Sequence, residues 1–289
     1  MKKYLILIPV YNDWDSVFEL LKNIDHVVTQ NNFDILIAND ASTVDFQFND
    51  HNFSKINSIR ILNLKTNGGH RIAIASGLMY CNDNLDFDYV IPMDGDGEDR
   101  PEEINLFLKS VDEKKSKVIV AERIKRSESF VFKQCYKIHK FLTLLMTNKT
   151  IKFGNFSCLS KKSLETLLSN GLVWLSFSGA LKSHFSDYEK VPSIRGTRYF
   201  GSTKMNFFKL VLHSFRILSV FKNTLFPRAL ILAIFFLGLS FFSSLFFAFI
   251  SSILLIFLSF INYLAKDNDY EKLQDYKSNI KDALNLYNR

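Results

Sequence analysis

Cysteine, proline and glycine are scarce in this chain, and charge is missing from two of its stretches. Three cysteines in 289 residues, with no C-x-x-C spacing, exclude a disulfide framework and a cysteine zinc site; Cys81, Cys135 and Cys158 read as small core residues. Five prolines and eleven glycines leave no composition for a flexible linker, and no internal repeat is present. Between Arg195 and Arg228 there is no Asp or Glu, although seven Lys or Arg occur there (195, 198, 204, 209, 216, 222, 228). From Ala229 to Ala265 charge of either sign is absent over 37 residues dense in Phe, Leu and Ile. A helix in water has no reason to be apolar on every face for that length, so this run is read as membrane-embedded.

One crossing of about 30 Å of hydrocarbon needs about 20 helical residues, and 37 would span roughly 56 Å. The run therefore fits a tight hairpin of two short crossings, turning near Ser243-Ser244 or Ser251-Ser252, or else a single tilted helix. The basic stretch directly before it contains "KMNFFKLVLHSFRILSVFK" (Lys204–Lys222), apolar with basic residues interspersed. That is the composition of an amphipathic helix on an anionic leaflet, and its positive charge marks the cytoplasmic side. The tail from Lys266 to Arg289 carries five basic and five acidic residues and gives no orientation. At the other end, "MKKYLILIPVYNDWD" has too short an apolar run for a signal peptide and no small-residue cleavage site, so it reads as a first strand. The N-terminal part is expected in the cytoplasm.

Apolar runs and helical spacings alternate through the first 120 residues. Strands are expected at Tyr4–Pro9, Phe33–Asp40, Ile56–Leu64, Asp88–Met93 and Lys117–Arg123. Helices are expected at Asp15–Val28, after the Gly-rich turn of Asn67–Cys81, and at Pro101–Val111. Such alternation builds an α/β domain with a largely parallel sheet, whose ligands sit at the carboxyl ends of the strands. The polar clusters "PVYND", "ANDAS" and "MDGDGED" all fall at such ends.

The last cluster is the most informative. Asp94 and Asp96 flank Gly95, and an i, i+2 pair in extended backbone turns both carboxylates to one side, with Gly95 allowing a ligand close approach. Two such carboxylates repel unless a cation lies between them, and oxygen ligands suit Mg2+ or Mn2+ alongside substrate phosphates. Asp99, Glu102 and Glu103 read as acids at the N-terminus of the following helix. The six histidines are scattered and read as core or surface residues. Arg71 is either a phosphate contact or a solvated helix residue.

"PVYND", "NDAS", "NGGHRIAIASGL" and "DGDGEDRPEEI" stand in the order and approximate spacing of family 2 glycosyltransferases, whose fold is GT-A. More narrowly, the chain resembles the polyprenyl-phosphate glycosyltransferases, relatives of dolichol-phosphate mannose synthase and bactoprenol glucosyltransferases. Asp94, Asp96, Glu98, Pro101 and Glu102 match a D-x-D-x-Q block followed by P-E, with Glu98 in place of Gln. "AERIKR" (Ala121–Arg126) resembles G-x-R-x-x-R, and "GNFSCLSKKSLETL" (Gly154–Leu167) resembles G-x-F-x-L-x-x-R, with Asn155 at a common Asp. "RGTRYFGSTKMNFFKL" (Arg195–Leu210) resembles R-x-x-R-x-x-G-x-S-K-Y. The usual D-D-G-S is Asn39-Asp40-Ala41-Ser42 here.

The resemblance implies a nucleotide-sugar crevice lined by Pro9, Tyr11 and Asn12, with Asp40 accepting a hydrogen bond from the base. A divalent ion held by Asp94, Asp96 and Glu98 would offset the charge of a diphosphate leaving group. The backbone N–H groups of "NGGH" offer a further anion site. Arg123, Arg195, Arg198 and Lys204 are the candidates for holding a lipid phosphate acceptor, and Lys209, Arg216, Lys222 and Arg228 for lipid headgroups. An already ionised phosphate needs no general base, so catalysis rests on positioning and charge compensation.

The reading is an inverting, metal-dependent glycosyltransferase at the cytoplasmic face of a bacterial inner membrane, moving a sugar from a nucleotide-sugar to a polyprenyl (undecaprenyl-type) phosphate. Its domains are expected at residues 1–194 (GT-A catalytic), 195–228 (basic juxtamembrane), 229–265 (transmembrane) and 266–289 (polar tail). The alternatives are the same fold acting on another lipid or glycan acceptor, and a non-catalytic nucleotide-sugar-binding membrane partner. Nucleic acid is not an expected partner, because the positive charge lies beside an apolar span and not among stacking aromatics. An oligomer is neither required nor excluded.

Overall fold

The computed structural model describes residues 2–30, 32–46, 48, 52–125, 140–141, 143–202, 207–266 and 275–289. Fully apolar strand runs, closed at each end by polar residues, form the centre of an eight-stranded sheet. In chain order the strands are β1 (Tyr4–Val10), β2 (Phe33–Asn39), β3 (Ile56–Leu64), β4 (Tyr89–Pro92), β5 (Val118–Lys125), β6 (Phe153–Ser160), β7 (Glu189–Ile194) and β8 (Ile280–Asn288). Their order across the sheet is β7-β5-β6-β4-β1-β2-β3-β8. The block β4-β1-β2-β3 is parallel, as the alternation of strands and helices predicts. β6 enters antiparallel to both β4 and β5, and β8 closes the far edge antiparallel to β3.

Period-2 geometry sends alternate side chains of each central strand to opposite faces. Ile6, Ile8, Ile35, Ile37, Ile59 and Ile61 pack on one face with α1 (Trp14–Val27) and α3 (Ile104–Lys114). Leu5, Leu7, Leu36, Ala38 and Leu62 pack on the other with α2 (His70–Asn84), α4 (Lys161–Leu168) and α6 (Phe177–His184). The short α5 (Leu172–Leu175) also covers α2, whose residues Ile72 to Met79 are all buried.

The basic stretch yields α7 (Phe207–Val220), and the apolar run yields α8 (Lys222–Phe242) and α9 (Leu245–Ala265). The chain turns at Ser243-Ser244, the first of the two expected positions, so the single tilted helix is replaced by a hairpin. Each helix has 21 residues, or about 31 Å, one full hydrocarbon thickness. The first begins at Lys222, seven residues before the charge-free run, and carries Pro227 and Arg228 in its second turn. Ser251 Oγ donates to the Ala233 carbonyl at 2.8 Å and ties the two helices together. Phe241, Phe242 and Leu245 at the tip are at least 80% exposed.

The tail is not an appendage. Residues 280–288 return to the sheet as β8, with Asp282 opposite Asn63 and Leu284 opposite Ile61. Tyr276, 1% exposed, anchors the return by donating to Asp83 at 2.9 Å.

Candidate active site

The carboxyl ends of β1, β2 and β4 lie side by side in the sheet, at the edge where an α/β sheet has its ligand crevice. Asn12 follows β1 in the left-handed region (φ 54°) and stitches two loops together. Its backbone N–H donates to Ser42 Oγ at 3.0 Å, its amide donates to Thr43 Oγ1 at 3.0 Å, and its oxygen accepts from the N–H groups of Thr43 (2.8 Å) and Val44 (3.1 Å). Asn12 is thus a framework residue of the crevice and not a free ligand group. Pro9 is buried within β1 opposite Ala38, while Tyr11 is 39% exposed at the crevice edge.

Asp40 departs from its expected role. It is 2% exposed, and its two oxygens accept from the N–H groups of Gly68 and Gly69, both at 2.8 Å. Burial raises its pKa, with the two N–H donors opposing that shift. The carboxylate therefore pins the Gly-Gly turn instead of facing a base, and the turn amides expected to bind an anion are engaged by Asp40. Arg71 is also redirected: its Nη1 donates to the Trp174 carbonyl at 2.5 Å, on α5.

The pinned turn delivers His70, the first residue of α2, to the acidic cluster. His70 Nε2 lies 2.9 Å from Asp94 Oδ1. Burial opposes ionisation of Asp94, but His70 and Arg123 outweigh it and hold the carboxyl well below the usual range. Burial and the Asp94 charge push Asp96 up to about 6 and Asp99 up to about 8. Asp99, expected to be a solvated helix-terminal acid, is 5% exposed; it accepts from the Asp94 N–H at 2.9 Å and faces Arg123 at 3.9 Å. Glu103 is buried too and accepts from the Ile194 N–H at 2.8 Å. Glu102 alone of the three stays exposed, 3.6 Å from Arg100.

The segment that leads toward the apolar hairpin lies directly on this cluster. Arg198 reaches Asp96 with one guanidinium nitrogen and Asp13 with the other, the latter at 2.6 Å, and Arg195 pairs with Glu98. Two main-chain bonds fix the register: Gly196 N–H to Glu98 O at 2.8 Å and Tyr199 N–H to Asp96 O at 2.9 Å. Gly97 sits at φ 86° beneath the Tyr199 ring, where a Cβ would come within 2.6 Å of the ring. Gly95 is small for a different reason than ligand approach: a Cβ there would meet Ile8 and Val17 at 3.0 Å.

The structure thus gathers Asp94, Asp96, Glu98, Arg123, Arg195 and Arg198 and turns Arg71 of α2 to the Trp174 carbonyl on α5; Lys204 lies outside the described residues. The sequence reading missed Asp13, His70 and the burial of Asp99. The first two follow turn residues at strand ends, which is the signal that marks them. Among the described residues, no group of three or more His, Cys, Asp or Glu side chains surrounds one metal position.

Undecaprenyl-phosphate 4-deoxy-4-formamido-L-arabinose transferase of Klebsiella pneumoniae is 26% identical over 219 residues, covering 73% of this chain and 65% of that protein. Uncharacterized glycosyltransferase YkcC of Bacillus subtilis is 27% identical over 221 residues, covering 70% of this chain and 63% of that protein. The chain thus spans a little under two thirds of the length of these curated relatives. Glucosyl-3-phosphoglycerate synthase from Mycobacterium tuberculosis, solved with Mn2+, UDP-glucose and phosphoglyceric acid, superposes with a TM-score of 0.55 at 11% identity, covering 77% of this chain and 79% of that one. At that identity the likeness is one of fold. Residues 5–167, more than half of the chain and the part that carries β1 to β6 and the acidic cluster, match glycosyl transferase family 2, and the chain belongs to that family.

Proposed function

We propose that this chain is a membrane-anchored glycosyltransferase that moves a sugar from a nucleotide-sugar to an undecaprenyl-type polyprenyl phosphate, with inversion, at the cytoplasmic face of a bacterial inner membrane. One observation carries the reading: the carboxylates at the end of β4 are faced by arginines from the segment that leads into the apolar hairpin. Donor-side and acceptor-side charges therefore meet at one point. The Klebsiella relative is named for undecaprenyl phosphate, and the mycobacterial neighbour was solved with Mn2+ and a nucleotide-sugar. Both agree with this assignment.

The donor set fits Mg2+ or Mn2+. Asp94 and Asp96 supply hard oxygen ligands; burial, and after it the Asp94 charge, pushes Asp96 up to about 6, and the repulsive part is one that a divalent cation relieves. Such an ion takes one or two protein carboxylates and completes its shell with phosphate oxygens and water, so a third acidic ligand is not required. When bound, it stabilises negative charge on the departing diphosphate.

The remaining steps belong to the chain's own residues. His70 holds Asp94 in one orientation. Arg195 and Arg198, with Lys204, hold the acceptor phosphate against the sugar carbon, and the ionised phosphate attacks without a base. α7 rests on the anionic leaflet, α8 and α9 anchor the chain, and the catalytic unit is residues 1–194 completed by β8.

The test uses detergent-purified protein with Mn2+, undecaprenyl phosphate and a panel of labelled nucleotide-sugars, with and without EDTA. Metal-dependent movement of label into the organic phase is the expected result. Metal-dependent nucleotide binding with no transfer from any donor would overturn the acceptor assignment and leave another acceptor or a non-catalytic role.

A further inference from the structure

A row of three polar residues crosses the sheet at the carboxyl ends of β2 and β3. Asn39 on β2 lies opposite Asn63 on β3, which lies opposite Asp282 on β8. Asn63 Nδ2 donates to Asp282 Oδ1 at 2.6 Å, and Asn39 Nδ2 donates to Asn63 Oδ1 at 2.7 Å. Asn39 Oδ1 then accepts from the Ser42 N–H at 3.0 Å, and Ser42 Oγ accepts from the Asn12 N–H at 3.0 Å. The row thus runs from β8 to the two loops that line the crevice. Those loops contain two non-glycine residues in the left-handed region, Asn12 (φ 54°) and Ala41 (φ 55°). Such conformations persist only where their surroundings hold them.

The direction of the row is fixed by chemistry. An ionised carboxylate only accepts, so Asn63 must turn its NH2 to Asp282. That leaves the Asn63 oxygen facing position 39, which must then be a donor. An asparagine satisfies this and still offers its oxygen to Ser42; an aspartate cannot donate. The departure from the D-D-G-S pattern at Asn39 is therefore matched to Asp282, which lies outside the family match at residues 5–167.

We propose that Asp282 is a positioning residue of the donor site, acting through Asn63 and Asn39 to set the loop that carries Ser42 against Asn12, and that it dictates the amide at position 39. This rests on the crevice being the nucleotide site. It gives the strand that follows the membrane hairpin a part in donor binding, because β8 supplies the end of the row.

The experiment measures affinity for uridine, guanosine, thymidine and cytidine diphosphates, each with Mn2+, on the full chain in detergent, together with thermal midpoints. Asn39→Asp places carboxylates on both sides of Asn63 and is expected to weaken nucleotide binding roughly tenfold or more. The double variant Asn39→Asp, Asp282→Asn lets the Asn63 amide reverse, and is expected to restore affinity to within about threefold, under 1 kcal/mol. In turnover, donor KM should follow this pattern while the lipid-phosphate KM stays constant. If Asn39→Asp binds as well as wild type, or the double variant recovers thermal midpoint but not affinity, the positioning role is overturned and the row only stabilises the fold. Wild type that binds none of the four nucleotides would instead overturn the donor-site reading on which the inference stands.

Discussion

Asp13 and Asp96 share one guanidinium: Arg198 lies between them, with Nη2 2.6 Å from Asp13 and Nη1 on Asp96. Both carboxylates are largely shielded from water, as is the arginine, whose side chain is 18% exposed. Removing Arg198 therefore leaves two facing carboxylates without a counter-charge. Arg198→Ala is expected to lower kcat/KM roughly a hundredfold, as loss of a preorganised charged donor does. The KM for lipid phosphate should rise more than that for the nucleotide-sugar. Arg198→Lys should recover only part of this, because an ammonium cannot span both carboxylates as a fork. A donor KM that moves alone would transfer Arg198 to the donor side.

Asp94 and Asp96 differ although they are two residues apart. His70 and Arg123 keep Asp94 ionised, whereas burial and Asp94 itself push Asp96 up to about 6. Divalent-ion affinity should consequently fall as pH drops through about 6, where Asp96 takes up a proton. Mn2+ binding followed by electron paramagnetic resonance between pH 5 and pH 8 reads this directly. Asp94→Asn should abolish the bound signal at every pH, with the fold retained in EDTA. Affinity independent of pH over that range would remove Asp96 from the metal site.

The central sheet was legible because its strands are fully buried and so read as continuous apolar runs ending in polar clusters. The acidic cluster was legible because D-x-D stands at the end of a buried strand; its metal role is proposed. What each polar residue faces was not. Asp40 binds Gly68 and Gly69, and Arg198 binds Asp13, through pairs far apart in sequence with no local pattern to announce them. β8 escaped notice for another reason. Ile280–Asn288 is a mostly exposed edge strand with charges at Lys281 and Asp282, so its alternation is faint, and only the apolar hairpin before it brings it back to β3.

Asp25, on α1, offers a test of the fold that is independent of the site. Its carboxylate accepts from the N–H groups of Ser54 (2.9 Å), Lys55 (2.6 Å) and Ile56 (3.1 Å), closing the entry to β3. Burial opposes its ionisation, but these donors outweigh burial and lower its pKa. A carboxylate with a lowered native pKa stabilises the fold above its unfolded pKa of about 3.9, and that contribution is lost as pH falls through the native value. Asp25→Ala should therefore cost about 2 kcal/mol at pH 7. The gap to wild type should narrow below about pH 4. Denaturant titrations at pH 7 and pH 3.5 check both statements, and an equal gap at the two pH values would contradict the assigned hydrogen bonds.

The pairing of β8 with β3 constrains the membrane topology. α8 leaves the catalytic unit at Lys222, α9 ends at Ala265, and the chain then re-enters the same sheet. A single crossing would put β8 on the opposite side of the bilayer from β3, so the hairpin must enter and leave on one side. Single cysteines at Lys222 and Lys266, in a background with the native cysteines replaced, are expected to react with a membrane-impermeant maleimide only from the cytoplasmic side of inverted vesicles. A cysteine at Ser243, in the turn, is expected to react only from the other side. If Lys222 and Lys266 label from opposite sides, the β8–β3 pairing does not exist in the membrane, and the row from Asp282 to Asn39 goes with it.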